Sequence, residues 1–160
     1  MPILTKSGRV VIAESIKLRD IHVAWGVGNG SWTSPPSEDP DATALISELA
    51  RRTANEVAFV TPDSGGDIIL PSGAKFSRSV TPTNRLFVSV TFDFNDASSS
   101  VVREFAVFVG STMIGGLPLG QRYFLPAEVA TPGRMLHLEN IAPIFRSPAI
   151  RESFQTVITF

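Results

Sequence analysis

The 160-residue chain contains no cysteine, which excludes disulfides, thiolate metal sites and a cysteine nucleophile. Charged residues are also scarce, at 18% of the chain against a usual share of about 25%. The net charge is −1, so no global field attracts nucleic acid or an anionic membrane surface. A surface with few charges is commoner on proteins that remain bound to neighbouring protein chains. Because disulfides and thiolate metal sites are excluded, we expect stability to come from packing and assembly.

Long apolar runs are also lacking. No run approaches the roughly 20 residues that a membrane-spanning helix needs. The start of the chain has no uninterrupted apolar core of the kind found in signal peptides, which predicts synthesis in the cytoplasm without secretion by a standard route. A chain of this length fits one domain, so we expect a single unit over residues 1–160.

The rest of the chain is organised around residues 21–32, IHVAWGVGNGSW. Apolar residues alternate from Ile21 to Trp25, which predicts a half-buried β-strand. Glycine permits positive φ, so we expect a sharp turn or a close backbone contact directly afterwards. The predicted structural turn comprises Gly26, Gly28, Asn29 and Gly30. No Lys-Ser or Lys-Thr follows and no helical pattern begins there, so a phosphate-binding loop is not favoured.

Two short helices are predicted. Thr5 suits an N-cap for a helix over residues 6–16, although Gly8 and the β-branched residues within it leave a strand as the competing interpretation. Asp39 followed by Pro40 is typical of a second helix start, and two leucines spaced four apart lie within residues 40–52.

From residue 55 onward the hydrophobic period becomes that of strands. The predicted strands span residues 56–61, 67–70, 85–95, 101–109, 135–141 and 154–160. Strand 85–95 alternates almost without interruption, and strand 101–109 is expected to return antiparallel beside it. This order predicts a mainly β fold: a two-layer antiparallel β-sandwich-like domain with one or two short helices and long loops.

Prolines and glycines predict extended loops at residues 31–40 and 115–132. Loops of this length in a compact domain are usually functional or ordered by a partner. Trp32 in the first loop, and Tyr123 and Phe124 in the second, are therefore candidate interface residues. For Trp32, folding back onto the domain is the competing interpretation.

Arg103 and Glu104 are the two charged residues of the apolar strand over residues 101–109. Neighbouring positions of a strand place their side chains on opposite faces. One interpretation is a solvated glutamate with an arginine at the sheet margin. The other is an ion pair between subunits, which adds both residues to the candidate interface.

His22 and His137 are the only histidines, and neither has the spacing of a metal site, which favours structural roles. No G-x-S-x-G nucleophile motif is present. The pair Arg51-Arg52 is too small a basic cluster for nucleic acid. The spacing of these residues therefore predicts neither a metal site nor a cofactor site.

The densest carboxylate cluster is Glu38, Asp39 and Asp41. A pair of carboxylates could serve a glycosidase. These three flank a proline at a predicted helix start, where capping and the helix dipole already account for negative charge. We therefore predict that the chain is not an enzyme.

The stretch at residues 21–32 resembles the glycine-rich segment near the start of tail-fibre and tail-collar attachment proteins of contractile-tailed bacteriophages. Three further stretches are similar to that family, in its order, and extend the likeness over residues 3–110. They are Ile3-Leu4-Thr5-x-x-Gly8 followed by Ile12-Ala13, then Thr43-x-Leu45-x-x-Glu48 followed by arginine, then residues 102–108, VREFAVF.

The resemblance implies a structural virion protein at the baseplate or at the base of a tail fibre, assembled in the host cytoplasm. It would act as a joint, in multiple copies, with baseplate, sheath or fibre chains as partners and without nucleic acid or membrane. Two other classes remain open. One is a carbohydrate-binding module that displays Trp32 and Tyr123 for sugar stacking, and the other is an envelope-degrading tail enzyme.

Overall fold

The computed structural model describes residues 1–160 and is built mainly of β-strands. In chain order the elements are α1 (Lys6–Lys17), β1 (Ile21–Gly26), β2 (Glu48–Thr53), β3 (Glu56–Pro62), β4 (Ile68–Ile69), β5 (Lys75–Arg78), β6 (Arg85–Phe92), β7 (Val101–Val109), β8 (Thr112–Met113), β9 (Tyr123–Phe124), a 3₁₀ turn (Pro126–Glu128), β10 (Val129–Thr131), β11 (Arg134–Phe145) and β12 (Glu152–Thr159). A mainly β fold with one short α-helix confirms the predicted class.

The strands form two five-stranded sheets and one two-stranded sheet. One five-stranded sheet has the order β11-β7-β1-β2-β9, and the other has the order β12-β6-β3-β5-β4. Strands β6 and β7 therefore belong to different sheets, and the predicted pairing of these two strands is wrong. The cause is that β7 already has β1 and β11 as its two neighbours, which leaves no place for β6.

The chain divides into two compact units. Unit 1 comprises Met1–Arg19, Ala54–Val90 and Ser153–Phe160, and it contains α1. Unit 2 comprises Asp20–Thr53 and Thr91–Glu152, and it contains the sheet centred on β1.

Helix α1 begins where the sequence predicts. The Thr5 hydroxyl accepts a hydrogen bond from the Gly8 amide at 3.1 Å, and Thr5 itself has extended backbone angles. This side-chain bond satisfies one of the amides that a first helical turn leaves unpaired, so it sets the start at Lys6. The helix buries Ala13 completely and ends at Lys17.

The second predicted helix, over residues 40–52, is wrong. The Asp39 carboxylate accepts from the Asp41 amide at 2.9 Å, which closes a local turn and does not cap a helix. The later part of the segment is β2, paired with β1 from His22 opposite Thr53 onward. Pairing with a buried central strand outweighs a local preference that amounts to a few tenths of a kcal/mol per residue, roughly.

Strand β1 is buried along its whole length, so the prediction of a half-buried strand is also wrong. It lies in the centre of its sheet between β2 and β7, and residues on both of its faces are covered. The Trp25 ring stacks on the Phe92 ring at 3.6 Å between centroids. His22 packs edge-on against Phe124 at 5.7 Å.

The two predicted loops differ. Residues 31–40 contain no helix or strand, as their prolines predict. Residues 115–132, in contrast, contain β9, the 3₁₀ turn and β10, so an extended loop is wrong for the second half of that range. Its own chain orders it, since β9 pairs with β2 and β10 pairs with β8.

The core of unit 1 is centred on Val60, Ile68 and Phe87, which are all buried. Gly66 lies between two of its strands, and a Cβ at this position would overlap the Phe76 carbonyl group. A Cβ on the adjacent Gly65 would approach only the Asp63 carboxylate, at an ordinary 3.6 Å. The backbone, not a side chain, is therefore in contact with Gly66.

We expect Gly66→Ala to lower the free energy of unfolding by about 2 kcal/mol or more, because the Phe76 backbone must move to accept a methyl group. Urea unfolding of the purified protein measures the change. Gly65→Ala is the matched control and should stay within about 0.5 kcal/mol of the parent. Equal effects of the two substitutions would contradict the proposed contact.

Candidate functional site

The glycine turn after β1 is closed by its own backbone and by Asn29. The Asn29 carboxamide oxygen accepts from the amide of Ser31 at 2.9 Å and from its hydroxyl at 2.8 Å. The Trp32 amide donates to the Asn29 carbonyl at 3.1 Å. Among the three glycines only Gly28 has a positive φ, at +62°. The left-handed conformation is thus concentrated at one residue of the predicted turn.

Gly28 is enclosed by Trp32 and Arg103. A Cβ at residue 28 would lie 2.7 Å from Cζ3 of Trp32 and 3.0 Å from Cβ of Arg103. Trp32 is half-buried, so the structure brings it back onto the turn, as one of the two interpretations predicts. The Arg103 guanidinium donates to the Val27 carbonyl at 3.3 Å and holds the other side of the turn.

Glu104 is the central residue of the site. Its side chain is only 3% exposed, and its Oε2 accepts hydrogen bonds from the amides of Gly28 and Ile46, each at 3.1 Å. Burial raises the pKa of this carboxyl above its ordinary value, and the backbone amides oppose that rise only in part. The interpretation of Glu104 as a solvated glutamate is therefore wrong, because its carboxylate faces the interior and accepts hydrogen bonds from backbone amides. The ion pair between subunits stays a prediction.

The buried carboxylate also explains Gly26. A Cβ at residue 26 would overlap Glu104 Oε2 and would lie 3.2 Å from Cβ of Leu45. The register between β1 and β2 shifts at this point, between Trp25 and Gly26. Residue 26 must be glycine because a side chain would occupy the space of the Glu104 carboxylate. A positive φ is not the reason.

Residues 32–47 run over the sheet beside this turn. Their main anchor is Leu45, which is buried against Ala24, Ala106 and Phe108. At the margin, the Glu38 carboxylate accepts from the Asn140 amide at 3.1 Å, and Asn140 Nδ2 donates to the Pro36 carbonyl. One member of the carboxylate cluster considered for catalysis thus binds the edge of β11.

Pockets lie beside this segment. One pocket of about 290 Å³ is lined by Trp32, Asp39, Glu104 and Asn140 among others. A second, of about 470 Å³, lies against Arg51 and Phe108.

Arg51 is a structural centre that the sequence does not reveal. It is 2% exposed and makes a two-pronged ion pair with Glu48, at 2.7 and 2.8 Å. Its Nη1 donates to Ser111 Oγ and to the Pro132 carbonyl, and its guanidinium lies 4.2 Å from the Phe108 ring centroid. The sequence pattern places Arg51 at a helix end, where an exposed position is expected.

The two aromatic residues of the second predicted loop have internal roles. Phe124 is 6% exposed and packs on His22. Tyr123 is half-buried, and its hydroxyl accepts from the Ala97 amide at 3.0 Å. Burial of Phe124 leaves it little surface to offer, whereas Trp32 and Tyr123 each keep part of the ring exposed, so their interface role stays a prediction.

The histidines lie apart in different environments. His22 is buried in β1, and its pKa is lowered, first by burial and then by the nearby Arg51 charge. His137 lies in β11. No three His, Asp or Glu side chains come together in a way that could hold a metal ion. Nor does any helix have the length and apolarity to cross a membrane.

A family model described as "Baseplate wedge 3 tail fiber network component" matches residues 1–160, the whole of the given sequence. No curated protein matches the chain.

We expect Gly28→Ala to lower the free energy of unfolding by about 1–3 kcal/mol, because alanine is strained at this φ and its methyl group would displace Trp32. The control is Gly30→Ala, since a Cβ at residue 30 meets no atom within 4 Å. Denaturant titrations of both variants, with Trp fluorescence as readout, measure the difference. If Gly28→Ala is as stable as Gly30→Ala, the account of the turn is wrong.

Glu104 should leave a signature in the pH dependence of stability. Its folded pKa is raised, so the folded state binds this proton more tightly than the unfolded chain does. The contribution of Glu104 to the free energy of unfolding is therefore largest below its ordinary pKa and declines as pH rises above that pKa. Subtracting the urea-derived stabilities of Glu104→Gln from those of the parent at each pH isolates this group. A difference that is flat or grows with pH contradicts the prediction.

Proposed function

The chain belongs to the baseplate wedge 3 tail fiber network component family, and on that premise we propose that it acts as a joint between neighbouring tail proteins. The family is a structural component of the phage baseplate, which places its members in the virion tail in association with other tail proteins. The proposal concerns the manner of association: exposed apolar surfaces on this chain that bind baseplate, sheath or fibre chains without a chemical reaction.

The observation that carries the proposal is an apolar loop on unit 2, residues 114–125. Leu119 is fully exposed at its tip, and Ile114 and Leu125 are exposed on either side. Arg122 is the one charged residue of this loop, and none occurs from Gly110 to Gln121, so burying the part around Leu119 requires no charge to lose its water. Each square ångström of apolar surface covered by a partner stabilises the complex by about 25 cal/mol before the costs of association.

This apolar loop is held in place before any partner binds. The Ile114 amide donates to the Glu128 carbonyl at 2.9 Å. The Glu128 carboxylate accepts from the Leu125 amide at 2.7 Å and from Gln121 Nε2 at 3.1 Å. A loop with a fixed backbone loses less conformational entropy on binding than a flexible one, which supports its use as a contact surface.

Unit 1 supplies a second apolar surface, which a joint requires. Large apolar side chains are exposed along its first segment, before, within and directly after α1: Met1, Ile3, Leu4, Val11 and Leu18. Isolated exposed apolar residues need no explanation, but several along one short segment are typical of interaction surfaces. We assign one neighbour to each unit, and repetition of these contacts by the symmetry of the tail would strengthen each of them.

We expect Leu119→Asp to fold normally and to reduce incorporation of the chain into tails by about tenfold or more, because a charge would be buried in the contact. Mass spectrometry of purified particles, normalised to another tail protein, measures incorporation. Val80→Asp is the matched control, since Val80 is as exposed as Leu119, at 102% against 104%, but lies on unit 1 outside its apolar segment. Normal incorporation of Leu119→Asp would refute the contact.

A further inference from the structure

Sheet edges are the second kind of contact surface in this chain. The outer strands of the two five-stranded sheets are β9, β11, β4 and β12. An outer strand offers unpaired backbone groups to any extended chain that approaches it. Two of the four, β4 and β9, are only two residues long. They are too short to hold a partner strand by backbone pairing.

Strand β11 is long but obstructed. Its register with β7 shifts twice, and Pro143 lacks an amide hydrogen. Its outer side is also occupied where the Glu38 carboxylate accepts from the Asn140 amide. These are devices by which proteins protect an edge from further pairing. Strand β12 has eight residues and no proline, so its length and composition leave it the edge best suited to a partner strand.

The apolar side chains of β12 are less buried than those of a strand with a neighbour on each side. Thr156 is buried, whereas Phe154 and Ile158, which share its face, are only half-buried. On the other face Val157 packs against the core of Val60, Ile68 and Phe87, yet it too is half-buried. Apolar residues on both faces of this strand thus keep part of their surface exposed. A strand added on the open side would complete their burial.

The backbone of β12 has a defined direction. The Phe160 amide donates to the Asn84 carbonyl at 2.9 Å, and Asn84 Nδ2 donates to the Phe160 carbonyl at 3.0 Å, so Phe160 faces the β6 side. In an antiparallel ladder successive residues point their backbone groups to opposite sides. The backbone groups of Gln155, Val157 and Thr159 therefore point to the open side.

We propose that β12 pairs antiparallel with β12 of a second copy of this chain, about a two-fold axis that passes midway between the two Thr156 residues. The inference rests on the proposed assembly role and names one of its partners. An axis perpendicular to the sheet keeps each face continuous, so a residue must pair with a residue of the same face. Thr156 then lies opposite Thr156, in a pair without direct backbone hydrogen bonds, and Gln155 bonds with Val157 of the second copy.

The sequence of β12 is complementary to itself in this register. Phe154 lies opposite Ile158, and Ser153 lies opposite Thr159, each twice by symmetry. Aromatic pairs with β-branched residues, and pairs of threonine with threonine or serine, stabilise antiparallel strands. The one charged residue of the strand, Glu152, lies opposite Phe160, so no like charges oppose each other. This complementarity selects a second copy over an unrelated chain as the occupant.

A cysteine placed beside the axis, at residue 156, tests the register directly, because the chain has no cysteine of its own. Across a pair without backbone hydrogen bonds the two Cα atoms are about 4.5 Å apart, which a disulfide can bridge. Thr156→Cys should therefore give a covalent dimer as the main species after mild oxidation, on non-reducing gels. Gln155→Cys is the control, since its own counterpart lies diagonally, at about 7–8 Å. Equal linking of both variants, or of Gln155→Cys alone, overturns the register.

Charge variants test the pairing without any cysteine. The double variant Ser153→Lys with Thr159→Lys places lysine opposite lysine, and sedimentation equilibrium should show monomer in place of the parental dimer. Ser153→Lys with Thr159→Glu places opposite charges together and should restore the dimer. Both sets replace exposed side chains, and a far-UV circular dichroism spectrum equal to that of the parent checks that each variant keeps its fold. A parent chain that is monomeric at about 100 µM, or a lysine pair that stays dimeric, overturns the proposal.

The two proposals fail separately. If the Thr156 variant does not link but Leu119→Asp still blocks incorporation, the joint stands and pairing through β12 is wrong. If Thr156→Cys links and Leu119→Asp is incorporated normally, pairing stands and the contact proposed for the apolar loop is wrong.

Discussion

The hydrogen bonds that the buried Glu104 carboxylate accepts from the amides of Gly28 and Ile46 fix the geometry of unit 2 around β1. One side chain satisfies two loops that come from distant parts of the chain, and its volume requires glycine at residue 26. Burying a carboxylate costs free energy. That cost is offset in part because the carboxylate satisfies two backbone amides, each of which would otherwise need another hydrogen-bond partner. Gly28 and Glu104 therefore depend on each other structurally, although they lie 76 residues apart in sequence.

The sequence predicts those features that depend on local periods. The cap at Thr5, the strand over residues 101–109 and the mainly β class each follow from neighbouring residues. The sequence does not predict those elements whose conformation depends on pairing with distant residues. Residues 48–53 have a helical pattern but become a strand because β1 needs a neighbour, and Arg51 is buried because Glu48, Ser111 and Pro132 converge on it.

The candidate site was predictable in position but not in chemistry. Alternation at residues 101–109 indicates a strand, and Glu104 within it is visibly out of place. Nothing local says whether such a glutamate faces water or backbone, since that depends on where residues 26–28 and 46 lie after folding. A charged residue in an otherwise apolar strand, taken together with a glycine-rich turn elsewhere in the sequence, is the signal that could have identified the site.

The division of the chain into interleaved units also constrains synthesis. Unit 1 is assembled from three separate segments, the last of which is Ser153–Phe160. A ribosome must therefore produce the whole of unit 2 and then this last segment before β6 gains its neighbour β12. Partly made chains lack the outer strand altogether, so contacts made through it become possible only once translation has passed residue 153. The order of segments thus delays pairing through β12 until the last segment of unit 1 has been made.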